Sequence, residues 1–192
     1  MRPVDLGKST GMDAITLLRE DHRKVEKLFK EFEKAGPRAG KTKAKLVTQI
    51  IQELAVHAAI EEQVFYPAVR KAVEDAEDTV LESLEEHHIV KWVLSELEDM
   101  TPADERFDAK VSVLIENVRH HVKEEQDELF PEVRAALGRK QLAELGDALE
   151  AAKKVVPTRP HPRAPDEPPG NLVAGAMSGM LDKARDALNI AS

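Results

Sequence analysis

Apolar side chains recur every three or four residues over most of this chain, the period of helices with one face turned inward. Asp13 stands where an N-cap belongs, and Ile15, Leu18, Val25, Leu28, Phe29 and Phe32 trace a first inward stripe that Ala35-Gly36-Pro37 ends. A second helix is predicted from near Lys41 to beyond His57, with Leu46, Ile50, Leu54, Ile60, Phe65 and Ala68 inward. Pro67 lacks an N–H and crowds the carbonyl of Gln63, so a kink, or the end of the regular helix, is expected there before the helix resumes. A third helix covers roughly Ala76 to Asp99 on Val80, Leu84, Leu94 and Leu97. Thr101-Pro102 has the form of a helix start, Thr as cap and Pro at the first helical position. The fourth helix then carries Phe107, Val111, Leu114 and Val118 through Phe130-Pro131 to Gly138. A shorter one, about Lys140 to Lys154, offers Leu142, Leu145 and Leu149 to the bundle.

These elements predict an all-α fold: an up-and-down antiparallel four-helix bundle with a short fifth helix. Residues 1–11 have no periodicity and are expected to form a loose arm before the bundle of 12–154. Residues 155–170 form a proline-rich linker, with six Pro among positions 157–170. Such a segment is semi-rigid and reaches up to ~40 Å at about 3.1 Å per residue. Apolar residues at 172, 173, 176, 177, 180, 181, 184 and 188 make 171–192 an amphipathic helix tethered by that linker. It is expected to dock on the bundle, a second subunit or another protein.

Composition narrows the chemistry. The chain has 192 residues, no Cys and a net charge of −8. Thiolate metal sites, disulfides and iron–sulfur clusters are excluded, and a general nucleic-acid footprint is not expected. No run of about 18 apolar residues suggests a membrane span. The amino terminus lacks the apolar region of a signal peptide, so the cytoplasm is the expected compartment.

Polar residues interrupt the inward stripes in a repeated pattern. His57-Ala-Ala-Ile-Glu61 and His121-Val-Lys-Glu-Glu125 each place an imidazole and a carboxylate one turn apart, and each is followed by a Pro, Pro67 and Pro131. His22 and His87 lie upstream on the facing stripes, and the whole set recurs at an offset of 64 or 65 residues. Two helical hairpins would bring four His and two Glu into one core. An unpaired buried Glu costs several kcal/mol, so the six groups need a common partner. A pair of metal ions serves, with Glu61 and Glu125 as bridges and His22, His57, His87 and His121 as nitrogen ligands. His88, adjacent to His87, is the alternative at that position, the register with Leu84, Leu94 and Leu97 favouring His87. His121 is chosen over His120 by its matched distance to Pro131.

Asp21-His22, His57-Ala-Ala-Ile-Glu61-Glu62, Glu86-His87 and His121-Val-Lys-Glu-Glu125, taken together over about residues 12–153, resemble the hemerythrin family, in particular its bacterial HHE cation-binding branch. The resemblance implies two non-haem iron ions with an oxo or hydroxo bridge and two bridging carboxylates, held by His22, His57, Glu61, His87, His121 and Glu125. Oxygen-carrying members have a second His four residues beyond the position of His87, where this chain has Lys91. They also have a bridging Asp five residues after the last His, where this chain has Glu125 at four. One coordination position is therefore expected to be open.

A protein that binds or responds to O2, NO or oxidants is the expected function, with peroxide decomposition at the open position, iron storage and iron sensing as alternatives. A bundle without metal is the contrasting case. Among neighbouring residues, Glu62 and Glu124 are expected on a solvated face, Lys91 is expected to extend out of the bundle, and His161 is expected in solvent. Tyr66 falls about 140° round a regular helix from Glu61 and so away from the site.

Overall fold

A computed structural model describes residues 11–172 together with Ser178, Gly179 and Asp182. The expected arm at 1–11 and helix at 171–192 lie almost wholly outside the described residues. Among those described, the chain is helical: α1 (Ala14–Lys34), α2 (Gly40–Ile60), α3 (Tyr66–Ala72), α4 (Glu77–Glu98), α5 (Phe107–Glu124), α6 (Phe130–Ala136) and α7 (Arg139–Lys153). Short connections between long helices make neighbours antiparallel, and α1, α2, α4 and α5 form the bundle.

Local chemistry sets most boundaries. Asp13 caps α1: its Oδ1 accepts from the Thr16 N–H at 2.9 Å and its Oδ2 from the Thr16 hydroxyl at 2.9 Å. At the start of α5 the residues do otherwise than expected. The Thr101 N–H and hydroxyl both donate to Asp104 Oδ2, at 2.6 and 2.9 Å, which closes a turn, and α5 begins only at Phe107. Gly138 ends no bundle helix. It is the N-cap of α7, its N–H donating to Gln141 Oε1 at 3.2 Å.

Before each of the two prolines the regular α-helix ends in a wider turn. Glu61–Phe65 and Glu125–Leu129 are π-helical turns that join α2 to α3 and α5 to α6. In each, the N–H just before the Pro bonds five residues back: Tyr66 to the Glu61 carbonyl, Phe130 to the Glu125 carbonyl. One extra residue per turn changes which side chains share a face, and such turns are common at functional sites.

The core is in two parts. One holds Leu18, Ile60, Phe65, Leu84, Phe130 and Val133, among others. The other holds Val25, Phe29, Ile50, Leu54, Val90, Leu94 and Val118. His22, His57, His87, His121, Glu61 and Glu125 are all buried in the layer between them. Each fully buried apolar side chain contributes about 1.5–3 kcal/mol, so two such cores can carry a polar layer that stabilises nothing by itself.

The helix α7 packs tightly on the start of α1. A Cβ on Gly146 would lie 2.2 Å from the Met12 carbonyl oxygen, so only glycine fits there. Beyond α7 the proline-rich segment does not reach away from the bundle. It turns back and follows α4 along the seam with α2. Arg159 pairs with Glu98 at 2.7 Å, Arg163 lies over the Trp92 ring, Asp166 meets Lys91 and His88, and Glu167 pairs with Arg70 at 3.2 Å. His161, expected in solvent, contacts Asp182 at 3.0 Å.

Candidate metal centre

The four imidazoles meet in two pairs. Nε2 of His22 and His57 are 3.1 Å apart, and Nε2 of His87 and His121 are 3.2 Å apart. The two carboxylates lie between the pairs, and each touches one His of both. Oε2 of Glu61 is 3.1 Å from His57 and 3.4 Å from His87. Oε2 of Glu125 is 3.4 Å from His22 and 3.7 Å from His121. The i, i+4 spacing supplies one contact of each carboxylate, and helix packing supplies the other.

This arrangement suits cations. Glu61 has no exposed surface, and neither of its carboxylate oxygens accepts a hydrogen bond; Oε2 of Glu125 is in the same state. Buried polar atoms are normally partnered. Two donors each about 2.0–2.2 Å from one ion, at roughly 90–110°, stand about 3 Å or a little more apart, close to the separations observed. Two groups of donor atoms answer to this: His22, His57, Glu61 and Glu125, and then Glu61, His87 and His121.

The electrostatics are those of a site short of positive charge. Burial, with the charge of Glu125 beside it, pushes the Glu61 carboxyl well above the usual carboxylate range. Burial would raise Glu125 too, but His121, His22 and His57 outweigh it and hold that group down to about 2. Only one of the two carboxylates is comfortably ionised. Burial lowers His22, and burial with His121 alongside lowers His87 further. Neutral imidazole is the form that binds metal.

Three of the four His are hydrogen-bonded at the outer nitrogen, and His57 faces Asp21 without a hydrogen bond. Nδ1 of His121 lies 2.7 Å from Glu86, Nδ1 of His87 3.2 Å from Glu62, Nδ1 of His57 3.7 Å from Asp21, and Nδ1 of His22 2.9 Å from the Gln126 amide. The Gln126 amide nitrogen donates to Nδ1 of His22, whereas Glu86 and Glu62 accept from Nδ1 of His121 and His87, which leaves the Nε2 lone pairs of those two rings facing the centre. Such outer partners fix the tautomer and ring orientation. Two of them are themselves anchored: Lys153 of α7 donates to Asp21 at 2.6 Å, and Lys91 donates to Glu62 at 2.7 Å.

A family model described as the hemerythrin HHE cation binding domain matches residues 13–133. The chain belongs to the hemerythrin HHE cation-binding family. Over 170 residues, 88% of this chain and 83% of the relative, the HHE chain is 30% identical to a hemerythrin-like protein of Schizosaccharomyces pombe. It is also 29% identical over 148 residues to a protein of Nostoc named a DNA nickase, a match that takes in 77% of the chain but 41% of that protein. The crystal structure of an HHE cation binding domain-containing protein from Mycobacterium kansasii superposes with a TM-score of 0.64, covering 74% of this chain and 85% of that one. At 22% identity this last likeness is one of fold.

Some residues of the HHE domain stand where helical periodicity put them, and others do not. His87 is in the buried layer, whereas the ring of His88 points outward to Asp166 at 3.3 Å. Tyr66 is buried, and its hydroxyl donates to Glu125 Oε1 at 3.2 Å and lies 3.4 Å from Nε2 of His87. The π turn brings it there, since the fifth residue on, not the fourth, returns over Glu61. Its counterpart 64 residues later, Phe130, stacks on His22 with ring centroids 5.8 Å apart. Glu62 is buried behind His87 rather than solvated, covered by Lys91 and the segment after α7. Glu124 does lie at the surface, beside His120 at 3.1 Å.

Lys91 neither enters the centre nor reaches open solvent. It is 8% exposed and is held between Glu62 and Asp166. The outer partners Asp21, Glu86, Glu62 and Gln126 were visible only as two equivalent pairs in the repeat, each next to a proposed ligand. On the apolar side of the centre, a cavity of about 20 Å³ touches all four imidazoles and is lined by Val25, Leu54, Ala58, Val90, Val118 and Val122. It is large enough for one molecule the size of water.

Proposed function

We propose that this protein is a non-haem diiron protein that binds O2, NO or peroxide in the cavity beside the four imidazoles. One observation carries the proposal: two His pairs face two shared, buried carboxylates whose inward oxygens have no hydrogen-bond donor. Carboxylate and imidazole together suit iron, and the lack of Cys removes the thiolates that draw softer ions. Bound iron would supply the redox couple and the coordination position that a small oxidant needs.

The chain's own residues define what that position can do. Val25, Leu54, Val90 and Val118 exclude bulk water and admit only a small ligand. Tyr66 holds a proton at the centre: burial, with Glu125 and Glu61 beside it, pushes its hydroxyl well above the ordinary tyrosine range. A hydrogen-bond donor there favours a second reading, decomposition of two peroxide molecules to O2 and two waters. The place where oxygen carriers have a further His is taken by Lys91, which turns away to Glu62.

No nucleic-acid partner is proposed. A net charge of −8 opposes extended contact with phosphates, and the match to the nickase takes in less than half of that protein. Among the described residues no helix is long and apolar enough to cross a membrane.

Metal analysis and the visible spectrum of aerobically purified protein test the proposal. Two irons per chain with near-ultraviolet charge-transfer bands, both lost in His57→Ala, are expected. Zinc without colour, or one iron per chain, would overturn the diiron assignment. Steady O2 release from peroxide by the iron-loaded protein, lost in Tyr66→Phe, would establish the second reading; no turnover would dismiss it.

A further inference from the structure

The centre has two unlike sides. His22 and its outer partner Gln126 border an open groove of about 740 Å³ between α1 and α5. The equivalent pair at the other end, His87 and Glu62, is closed over by the segment that follows α7. Gln126 and Glu62 occupy matching positions in the repeat, 64 residues apart. An amide nitrogen that donates to Nδ1 of His22 beside the groove, and a carboxylate that accepts from Nδ1 of His87 under a strap, therefore make the two ends chemically unlike.

The strap is linked to this carboxylate by way of Lys91. Asp166 forms an ion pair with Lys91, and Lys91 donates to Glu62 Oε1 at 2.7 Å. The same Oε1 lies 3.2 Å from Nδ1 of His87. The strap, Asp166, Lys91, Glu62 and His87 thus form one chain of charged contacts from the outside of the bundle to the centre. Lys91 and Glu62 are both more than nine-tenths buried, so water screens this chain little. Asp166 is itself fixed: its carbonyl accepts from Asn171 Nδ2 at 3.1 Å, and its other carboxylate oxygen meets His88 at 3.3 Å. The next residue, Glu167, pairs with Arg70.

A buried lysine needs its counter-charges. Without Asp166, Lys91 would have Glu62 alone and would draw it away from His87. Without Lys91, Glu62 and Asp166 would stand near each other as two uncompensated acids. Either change moves Glu62 relative to His87 Nδ1. Neither touches His22, His57 or their partners Gln126 and Asp21.

We propose that Asp166 and Lys91 are positioning residues through which the segment after α7 sets the metal affinity of the His87/His121 end of the centre, leaving the His22/His57 end to its own partners. The proposal rests on the metal reading of the six buried residues. It gives the proline-rich segment a role in the site. The 170-residue match to the Schizosaccharomyces pombe relative is too long to end before this segment.

Anaerobic titration of the full chain with cobalt(II), followed by its visible absorption, tests this. The wild type should take up two equivalents. Asp166→Ala and Lys91→Met should each weaken one equivalent by about 10–100-fold and leave the other unchanged, the usual effect of losing an outer partner. The double variant should be no weaker than either single one, because the two act in series. Lys91→Arg should restore most of the affinity, and Glu167→Gln, which loosens the strap elsewhere, should change neither equivalent. In the cobalt-loaded wild type, proton NMR should show shifted, exchangeable ring N–H signals, and Asp166→Ala should move one of them. Two unchanged equivalents in Asp166→Ala and Lys91→Met would refute the positioning role while leaving the metal centre intact. Equal weakening of both equivalents, with a lower melting temperature, would reduce the strap to a structural clamp. A wild type that binds no cobalt would sink the metal reading and this inference with it.

Discussion

Glu61→Gln should change the stability of this protein in opposite ways with and without metal. Glu61 is fully buried, belongs to both groups of donor atoms, and receives no hydrogen bond at either carboxylate oxygen. In the loaded protein each ion present at a thousand times its dissociation constant adds about 4 kcal/mol, so two add about 8 kcal/mol. For a domain of this size about 1 kcal/mol moves the melting temperature by about 2–4 °C, so stripping the metal should lower it by about 15–30 °C. Glu61→Gln removes a ligand shared by both ions and should abolish most of that difference. In the stripped protein the substitution has no hydrogen bond to break. It replaces an acid that burial and Glu125 keep from ionising, and the new amide can donate to Oε2 of Glu125. Metal-free Glu61→Gln should therefore melt no lower than the metal-free wild type. Calorimetry on the four samples, wild type and variant, loaded and chelated, reads this directly. A chelated variant clearly less stable than the chelated wild type would refute the reasoning, since the carboxylate would then serve the protein rather than a cation. So would a loaded wild type that melts with the chelated one.

Two further outcomes follow from the geometry. His87→Ala should reduce the metal content of purified protein to about half or less, and His88→Ala should leave it unchanged, because only His87 faces the centre; equal loss in both would reverse that choice. Burial pushes the Glu62 carboxyl from 4.5 up to about 7 against the pull of Lys91. The folded metal-free chain therefore keeps a proton that the unfolded chain gives up, and this group's contribution is complete below pH 4.5 and lost as pH rises through 7. At 1.36 kcal/mol per unit the loss is about 3 kcal/mol, so urea unfolding of metal-free Glu62→Gln should show stability rising against wild type between pH 5 and 8. Parallel curves for the two proteins would contradict this.

The fold was legible because its signals are local. Asp13, through its side chain, and Ala35-Gly36-Pro37, through their backbone, bound α1 locally, and the apolar stripes need only the period of the helix. Thr101 misled because Thr-Pro is equally at home in a turn, and here Asp104 captured its hydroxyl and N–H before a helix could form. The inward placing of His22, His57, His87 and His121 was legible for the same reason as that of the leucines around them. Tyr66 lies just beyond a π turn, where 100° per residue does not hold, and Glu62 is covered by Lys91 and the distant segment after α7, which no local pattern announces.

The sequence alone determined which residues line one face of each helix, and its internal repeat determined that six of them would be His and Glu in two matched sets. Periodicity acts within a single helix and needs no partner to be read. Only the tertiary structure decided how the sets combine. Packing crossed the pairs so that Glu61 also reaches His87 and Glu125 also reaches His22, and the widened turns brought Tyr66 to the centre. It laid the proline-rich segment on Lys91 although its composition suggested a spacer. Those contacts join residues from 21 to more than 100 positions apart, and no local spacing encodes which of two equivalent faces a distant segment will meet.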